Sequence, residues 1–201
     1  MESLLKAATY STMLKNLPRG GWLMKGVKIP ESLADHSYNV AFLSMLLCEE
    51  ITRRQIADPD MGKVLKLALI HDLPESIITD IPAPMIRFFG RENKRRAEEM
   101  ALEEILGGRA SYKEFLDAFG EFEDRSTIEG RIVRAADKID MILMVLHYEG
   151  TGHRNLTEFW ADGDRIFFED LAGGEEEVAF FQSIYQMLKD GRSPSLTRRI
   201  P

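Results

Sequence analysis

The most apolar run of the chain, LALI at residues 67–70, is followed directly by the imidazole of His71 and the carboxylate of Asp72. Glu75 comes next, just beyond Pro74. Burying a carboxylate without a partner costs much free energy, so these groups need partners from elsewhere in the fold. The sequence must therefore pack other helices around the end of this run, and that requirement constrains the fold more than any other feature.

Apolar residues elsewhere recur at the three- and four-residue spacing of amphipathic helices, and no alternating strand pattern of useful length occurs. The spacing predicts an opening helix that ends before Pro18, followed by an ordered loop at residues 21–31. Further helices are predicted at about 32–54, 59–73, 75–79, 92–106, 111–122, 126–148, 155–171 and 175–189. The sequence thus predicts an all-α fold, a single compact globule of roughly seven to nine helices rather than a simple four-helix bundle. We assign residues 1–190 to one domain and residues 191–201 to a C-terminal tail.

Three helix starts carry capping signals. Ser32 with Asp35 three residues later is a capping-box pattern, and Ser126 with Glu129 is a second one. Asp58-Pro59 places a capping side chain before a proline in the first turn. These signals predict where the three central helices begin.

Composition limits the classes of function. The chain has 201 residues, of which 44% are hydrophobic and 29% are charged, so a real core with a charged surface is expected. The formal net charge of −7 argues against a broad surface for nucleic-acid polymers. The single cysteine, Cys48, lies in an apolar run and excludes an intrachain disulfide. Without a secretion-signal pattern or an uncharged apolar run of about 20 residues, we expect a cytoplasmic protein with no membrane partner.

Two of the four histidines, His36 and His71, stand beside an aspartate in helical, apolar surroundings, and Asp137 lies in a third such stretch. Two imidazoles and two carboxylates from these sites could share one divalent metal ion. Imidazole and carboxylate ligands suit Mn, Co, Fe, Ni or Zn, which we favour over Mg. Four protein ligands would leave about two octahedral positions for water or substrate, as a catalytic metal requires.

The order of His36, then His71-Asp72, then Asp137 resembles the H…HD…D signature of the HD-domain metal-dependent phosphohydrolases. Three blocks extend the likeness: RGGWLMKGVKIPESLADHSYNVA, IHDLPESIITDIPAP and AADKIDMIL. Together they resemble the small single-domain HD 5′-deoxynucleotidases, which release phosphate from deoxynucleoside 5′-monophosphates. The similarity covers most of the chain.

The resemblance implies a set of metal ligands, namely His36, His71, Asp72 and Asp137. It also implies that Glu75 orients or deprotonates the attacking water, and that Asp80 meets the deoxyribose near its 3′-hydroxyl. The residue chemistry agrees, because a metal lowers the pKa of bound water and a nearby carboxylate is a plausible general base.

Substrate binding is implied for Trp22, which would lie at the phosphate or sugar. In the best-known members an arginine directly precedes this tryptophan and contacts phosphate, whereas this chain has Gly21 there. Either Arg19 or Lys25 would take over that contact. Small HD nucleotidases are commonly dimers, so a homodimer is expected.

These observations predict a metal-dependent phosphomonoester hydrolase that acts on deoxynucleoside 5′-monophosphates through metal-activated water. Two alternatives remain open: another HD activity, such as hydrolysis of dNTPs or guanosine tetraphosphate, and a non-catalytic metal-bound nucleotide sensor. The basic run at residues 94–96 is interpreted as a solvated face. Asp140 is expected to support a metal ligand or to lie on the surface.

Overall fold

The structure is a computed structural model that describes residues 1–161 and 173–191. Its helices are α1 (Glu2–Met13), a 3₁₀ turn (Leu14–Asn16), α2 (Gly20–Met24), α3 (Leu33–Arg53), α4 (Met61–Ile70), α5 (Glu75–Ile78), α6 (Ala83–Phe89), α7 (Arg91–Leu106), α8 (Tyr112–Asp124), α9 (Ile128–Gly150), α10 (Thr157–Ala161) and α11 (Glu175–Gly191). Seven of them have ten or more residues. Within the described ranges, the strand-like backbone pairing is limited to one isolated bridge between Pro18 and Ser32. The predicted all-α globule is confirmed.

Two predictions concern residues outside these ranges. The helix expected at 155–171 is described only as far as α10, and the tail assigned to 191–201 lies outside the described residues after Gly191. The division into a domain and a tail therefore stays a prediction. Among the described helices, none combines the length and the apolarity needed to cross a lipid bilayer.

Helices α3, α4 and α9 pack against one another and form the centre of the molecule. Their inward faces supply fully buried side chains, among them Leu33, Val40, Ile51, Val64, Leu67, Ile132 and Ile142. Burying one such side chain stabilises the fold by about 1.5–3 kcal/mol. Because α3 and α9 carry His36 and Asp137 while α4 leads into His71, this packing also brings the predicted metal ligands together.

The predicted start of α3 is confirmed. Ser32 is the N-cap, its hydroxyl accepts a hydrogen bond from the Asp35 backbone N–H, and the Asp35 carboxylate accepts one from the Ser32 backbone N–H. This reciprocal capping box satisfies two backbone donors at the helix start. It places His36 in the first turn of α3, next to the ordered end of the preceding loop.

The other two predicted caps are wrong by one or two residues. Thr127 rather than Ser126 caps α9, and its hydroxyl accepts from the Gly130 backbone N–H at 3.2 Å. Asp60 rather than Asp58 caps α4 and accepts from the backbone N–H of Gly62 at 2.8 Å. The reason is tertiary: Glu129 does not close a box but accepts from the Asp60 backbone N–H at 3.1 Å, which ties the starts of the two helices together.

Candidate metal centre and substrate cavity

The four side chains assigned to the metal surround one point between α3, α9 and the turn after α4. The Nε2 atoms of His36 and His71 lie 3.4 Å apart. The Oδ2 atom of Asp72 lies 3.4 Å from each of these nitrogens, and the Oδ1 atom of Asp137 lies 3.4 Å from Nε2 of His36. The structure therefore brings together residues from three separate parts of the sequence.

The outward-facing ring nitrogens of both histidines are engaged, which orients the inward-facing ones. Nδ1 of His71 lies 2.7 Å from the carbonyl oxygen of Ala68, and Nδ1 of His36 lies 2.7 Å from Oδ2 of Asp140. A carbonyl oxygen only accepts, so Nδ1 of His71 carries the proton and Nε2 of the neutral ring presents a lone pair. A histidine that binds metal through Nε2 has this arrangement, with its other nitrogen held by a carbonyl or carboxylate. Asp140 lies buried against His36, in the supporting position rather than on the surface.

The charges around this point favour a cation. Burial lowers the pKa of the His71 imidazole. Burial would also lower the pKa of His36, but hydrogen bonds to Asp137 and Asp140 outweigh it and raise that pKa to about 9. Burial favours the protonated form of Asp137, yet the hydrogen bond with His36 and nearby cations hold its pKa well below the usual value. The carboxylates of the cluster thus favour a positive charge at the position of His36, where a metal cation would supply it.

The donor set fits a divalent transition metal. His36, His71 and Asp137 each offer one atom, and these atoms all lie within 4.8 Å of one another. Nitrogen and oxygen ligands bond such ions at roughly 2.0–2.2 Å, so two atoms on one ion lie at most about 4.4 Å apart. The observed spacing needs little rearrangement to meet that limit. The cluster can therefore hold a metal of the class that the sequence predicted.

Glu75 is the first residue of α5 and lies beside this cluster. Its side chain is only 5% exposed, and its Oε2 atom is buried without a hydrogen-bond partner among the described residues. Burial, together with the charges of Asp72 and Asp80, raises the pKa of Glu75 well above the usual value for a glutamate. A carboxylate held in this way favours accepting a proton, as a general base must.

Asp80 holds the start of α2. Its Oδ2 atom accepts hydrogen bonds from the backbone N–H groups of Gly20 at 2.6 Å and Gly21 at 3.4 Å. A side chain at Gly20 would meet Pro82 at 3.1 Å, so glycine permits this close approach. The loop predicted at residues 21–31 therefore begins with a short helix, because a carboxylate from far along the chain satisfies its first donors.

Trp22 lies in α2 and is buried. Its indole N–H donates to Oε1 of Glu31 at 2.8 Å, and its ring packs edge-on against Tyr148 with centroids 5.2 Å apart. Phe159 of α10 contacts the same ring at a centroid distance of 5.3 Å. Trp22 is therefore fixed on three sides while it still lines the cavity beside the metal cluster.

The two candidate phosphate contacts occupy different places. Arg19 reaches the cluster, where its Nη1 atom lies 3.1 Å from Oδ2 of Asp72. Lys25 instead pairs with Glu158, whose side chain is more than half exposed at the cavity edge. Of the two residues left open by the sequence, Arg19 is the one next to the predicted metal ligands.

A cavity of about 380 Å³ opens in front of the cluster. Arg19, His71, Asp72, Glu75, Asp80 and Asp137 contribute polar lining, whereas Ile81, Pro82, Pro84, Ile86, Met141 and Phe159 contribute apolar lining. Its volume is within the usual range for sites that bind small molecules. The arrangement can accept a small ligand that has both a strongly charged part and an apolar part.

Two cavity residues on α7, Lys94 and Glu98, were not predicted from the sequence. Lys94 belongs to the run interpreted as a solvated face, and that interpretation is wrong for it, because its side chain lines the cavity and pairs with Glu98. A signal was present in the sequence: both residues continue the apolar stripe formed by Ala101, Leu102 and Ile105 on the inward face.

Residues 11–166 match the sequence profile of the HD domain. The chain belongs to the HD-domain family. This HD-domain protein is 38% identical to the 5′-deoxynucleotidase HDDC2 of Dictyostelium discoideum, over 96% of this chain and 100% of that protein. The human 5′-deoxynucleotidase HDDC2 is 34% identical over 76% of this chain and 71% of its own length.

A solved structure agrees with these sequence relatives. A conserved hypothetical protein from Pyrococcus furiosus superposes with a TM-score of 0.78 at 38% identity, covering 92% of this chain and 99% of its own. The HD-domain fold predicted from the sequence is confirmed, and the names of the relatives confirm the prediction that this HD-domain protein is an enzyme.

Proposed function

We propose that this HD-domain enzyme hydrolyses 2′-deoxynucleoside 5′-monophosphates to a deoxynucleoside and inorganic phosphate. The observation that carries the proposal is the position of Glu75, buried with a spare carboxylate oxygen beside a cluster that fits a metal ion. The choice of substrate rests on the relatives named 5′-deoxynucleotidases.

In this proposal His36, His71, Asp72 and Asp137 hold one divalent metal ion. When bound, such an ion polarises phosphoryl oxygens and lowers the pKa of water towards 7. His36 and His71 support this role because both are oriented by partners at Nδ1. Asp140 keeps the His36 ring in the orientation that points Nε2 into the cluster.

Glu75 accepts a proton from the attacking water. The water oxygen forms a bond to phosphorus and the bond between phosphorus and the 5′-oxygen breaks. The 5′-oxygen takes a proton from solvent to give the deoxynucleoside, and Glu75 returns to solvent the proton that it took from the attacking water. The raised pKa makes Glu75 a stronger base than an exposed glutamate. Most of the remaining catalysis in phosphoryl transfer is positioning and neutralisation of charge.

Arg19 and Trp22 form the phosphate and sugar end of the proposed binding site, with Asp80 at the 3′-hydroxyl. Arg19 supports this placement through its contact with Asp72, and Trp22 through its fixed position in the cavity wall. Oδ2 of Asp80 accepts hydrogen bonds from the start of α2, so its other oxygen, Oδ1, is the one that would accept from a sugar hydroxyl. Lys25 contributes at the edge of the cavity.

The proposal includes a homodimer in the cytoplasm. Tyr38, Phe42 and Leu46 lie four residues apart on one face of α3, and all three side chains are exposed. An exposed apolar stripe of this kind supports a surface that meets a partner. Sedimentation equilibrium tests the assembly: a mass of twice the chain supports it, and a monomer at micromolar concentration contradicts it.

The activity is tested with purified protein, Mn²⁺, Co²⁺ or Mg²⁺, and a panel of deoxy- and ribonucleoside mono- and triphosphates and guanosine tetraphosphate. We expect phosphate release from the deoxynucleoside monophosphates with Mn²⁺ or Co²⁺. If only triphosphates or guanosine tetraphosphate were hydrolysed, the proposal of a deoxynucleoside monophosphate substrate would be wrong. Nucleotide binding without turnover of any compound would make the chain a sensor.

A further inference from the structure

Lys94 of α7 is a cavity residue that the proposed mechanism leaves without a role. Its ammonium pairs with the carboxylate of Glu98 one helical turn later, and the two side chains are 20% and 5% exposed. Both residues line the cavity together with Glu75 and Asp80. Helix α7 packs against α5, which begins at Glu75, so the pair approaches the site from a helix that carries no other assigned residue.

The burial of this pair sets it apart from ordinary helix pairs. Lys113 and Asp117 on α8 have the same four-residue spacing, but their side chains are 82% and 57% exposed. Exposed pairs of this kind contribute little to stability, and their charges remain hydrated. Burial disfavours the charged form of Lys94, yet Glu98 and Glu75 outweigh it and raise the pKa of the ammonium. The fold therefore keeps a largely buried positive charge at the cavity wall.

Three further cations of the cavity are engaged by carboxylates of the site or its edge. Arg19 contacts Asp72 at 3.1 Å and Arg134 contacts Asp137 at 3.2 Å, so both act on predicted metal ligands. Lys25 pairs with Glu158 at the edge. The partner of Lys94 is instead Glu98, a residue that is neither a predicted ligand nor a predicted substrate contact.

We infer that Lys94, held in place by Glu98, binds the phosphate group of the substrate and makes the site selective for a phosphomonoester dianion. This inference rests on the proposed function. An ammonium has three N–H donors, of which Glu98 engages one, and a terminal phosphate offers three acceptor oxygens with a charge near −2 at neutral pH. Glu75 and Asp80 line the cavity as well, and a cation at Lys94 would offset their negative charge towards such a group.

The test compares K94M, K94R and E98Q with K113M, which removes the matched exposed lysine of α8. Two quantities are measured on metal-loaded protein: kcat and KM for 2′-deoxyadenosine 5′-monophosphate, and the Kd of inorganic phosphate by calorimetry. We expect K94M to raise both KM and the phosphate Kd roughly 10- to 100-fold, the loss typical of a charged hydrogen bond. K94R should give values of KM and phosphate Kd between those of the parent and K94M. E98Q should raise both values less than K94M does. K113M should have the values of the parent.

Melting temperature and metal content show whether each variant keeps its fold and its metal. If K94M fails to fold, K94Q carries the same test, because its amide can still contact Glu98. A folded variant with parent-like KM and phosphate Kd, even with a reduced kcat, would overturn the inference. The phosphate measurement involves no turnover, so it decides the role of Lys94 even if the parent hydrolyses no deoxynucleotide and the proposed function fails.

Discussion

The carboxylate of Asp140 lies 2.7 Å from Nδ1 of His36, and both side chains are almost completely buried. The contact spans 104 positions in the sequence and joins α9 to the first turn of α3. Because Asp140 holds Nδ1, the ring of His36 turns Nε2 towards His71, Asp72 and Asp137. The relationship links the packing of two core helices to the chemistry of the cluster.

Replacing Asp140 with asparagine should weaken metal binding. The amide has nearly the same size but lacks the charge that orients His36, and losing such support typically costs 10- to 100-fold in affinity. Calorimetric titration with Mn²⁺ or Co²⁺ measures the change. Asp117→Asn, on the exposed face of α8, is the control and should bind metal like the parent. Equal affinities in the two variants would show that Asp140 does not support the centre.

Replacing Glu75 with glutamine should abolish most turnover and retain the metal. A general base contributes typically 10²–10⁴-fold to the rate, and the amide cannot accept the proton. The measurements are kcat for a deoxynucleoside monophosphate and the metal content of the same sample. Glu114→Gln, which alters an exposed glutamate of α8, should leave both unchanged. If Glu75→Gln turned over substrate as fast as the parent, another group would have to act as the base.

Asp80 should show two separable roles. Asp80→Asn keeps an oxygen that can accept from Gly20 but loses the charge, so we expect a higher KM for the deoxynucleotide and an unchanged Kd for inorganic phosphate. Asp80→Ala also removes the cap of α2 and should therefore raise both values by disturbing Arg19 and Trp22. If Asp80→Asn raised the phosphate Kd as much as KM, as Asp80→Ala is expected to do, the result would argue against a sugar contact.

Gly130 controls how closely α9 approaches α8. A Cβ atom there would lie 2.6 Å from the backbone carbonyl oxygen of Glu121, whereas one at Gly150 on the same helix would meet no atom within 4 Å. Gly130→Ala should lower the free energy of unfolding by about 1–3 kcal/mol through overpacking. Gly150→Ala should instead be neutral or raise it by up to about 1 kcal/mol. Urea unfolding distinguishes them, and equal midpoints would contradict this account of the interface.

Much of the site follows from local sequence. Helical spacing placed His36 and Asp137 on helices of their own, and the capping box at Ser32 fixed the start of α3, because both depend on neighbouring residues. The family signature then identified the residues that meet. Their convergence at one point required the packing of three helices, which no local pattern contains.

The errors have tertiary causes. The glycines and the proline of residues 21–31 predict a loop, whereas the structure has the short helix α2 at its start because Asp80, about 60 positions away, satisfies the first donors. The cap of α9 lies at Thr127 because Glu129 accepts from the start of α4 instead of closing a capping box with Ser126. The spacing of Lys94 to Ala101 and Leu102 places it on the inward face of α7 despite its basic neighbours, but that this face lines a cavity depends on the packing of α7 against α5.

The central claim is that His36, His71, Asp72 and Asp137 hold one divalent metal ion. Anomalous diffraction from crystals grown with Mn²⁺ tests it most directly. We expect a single strong peak per chain, bonded to Nε2 of both histidines and to oxygens of both aspartates. A map that shows the four side chains well ordered with no anomalous peak between them would contradict the claim.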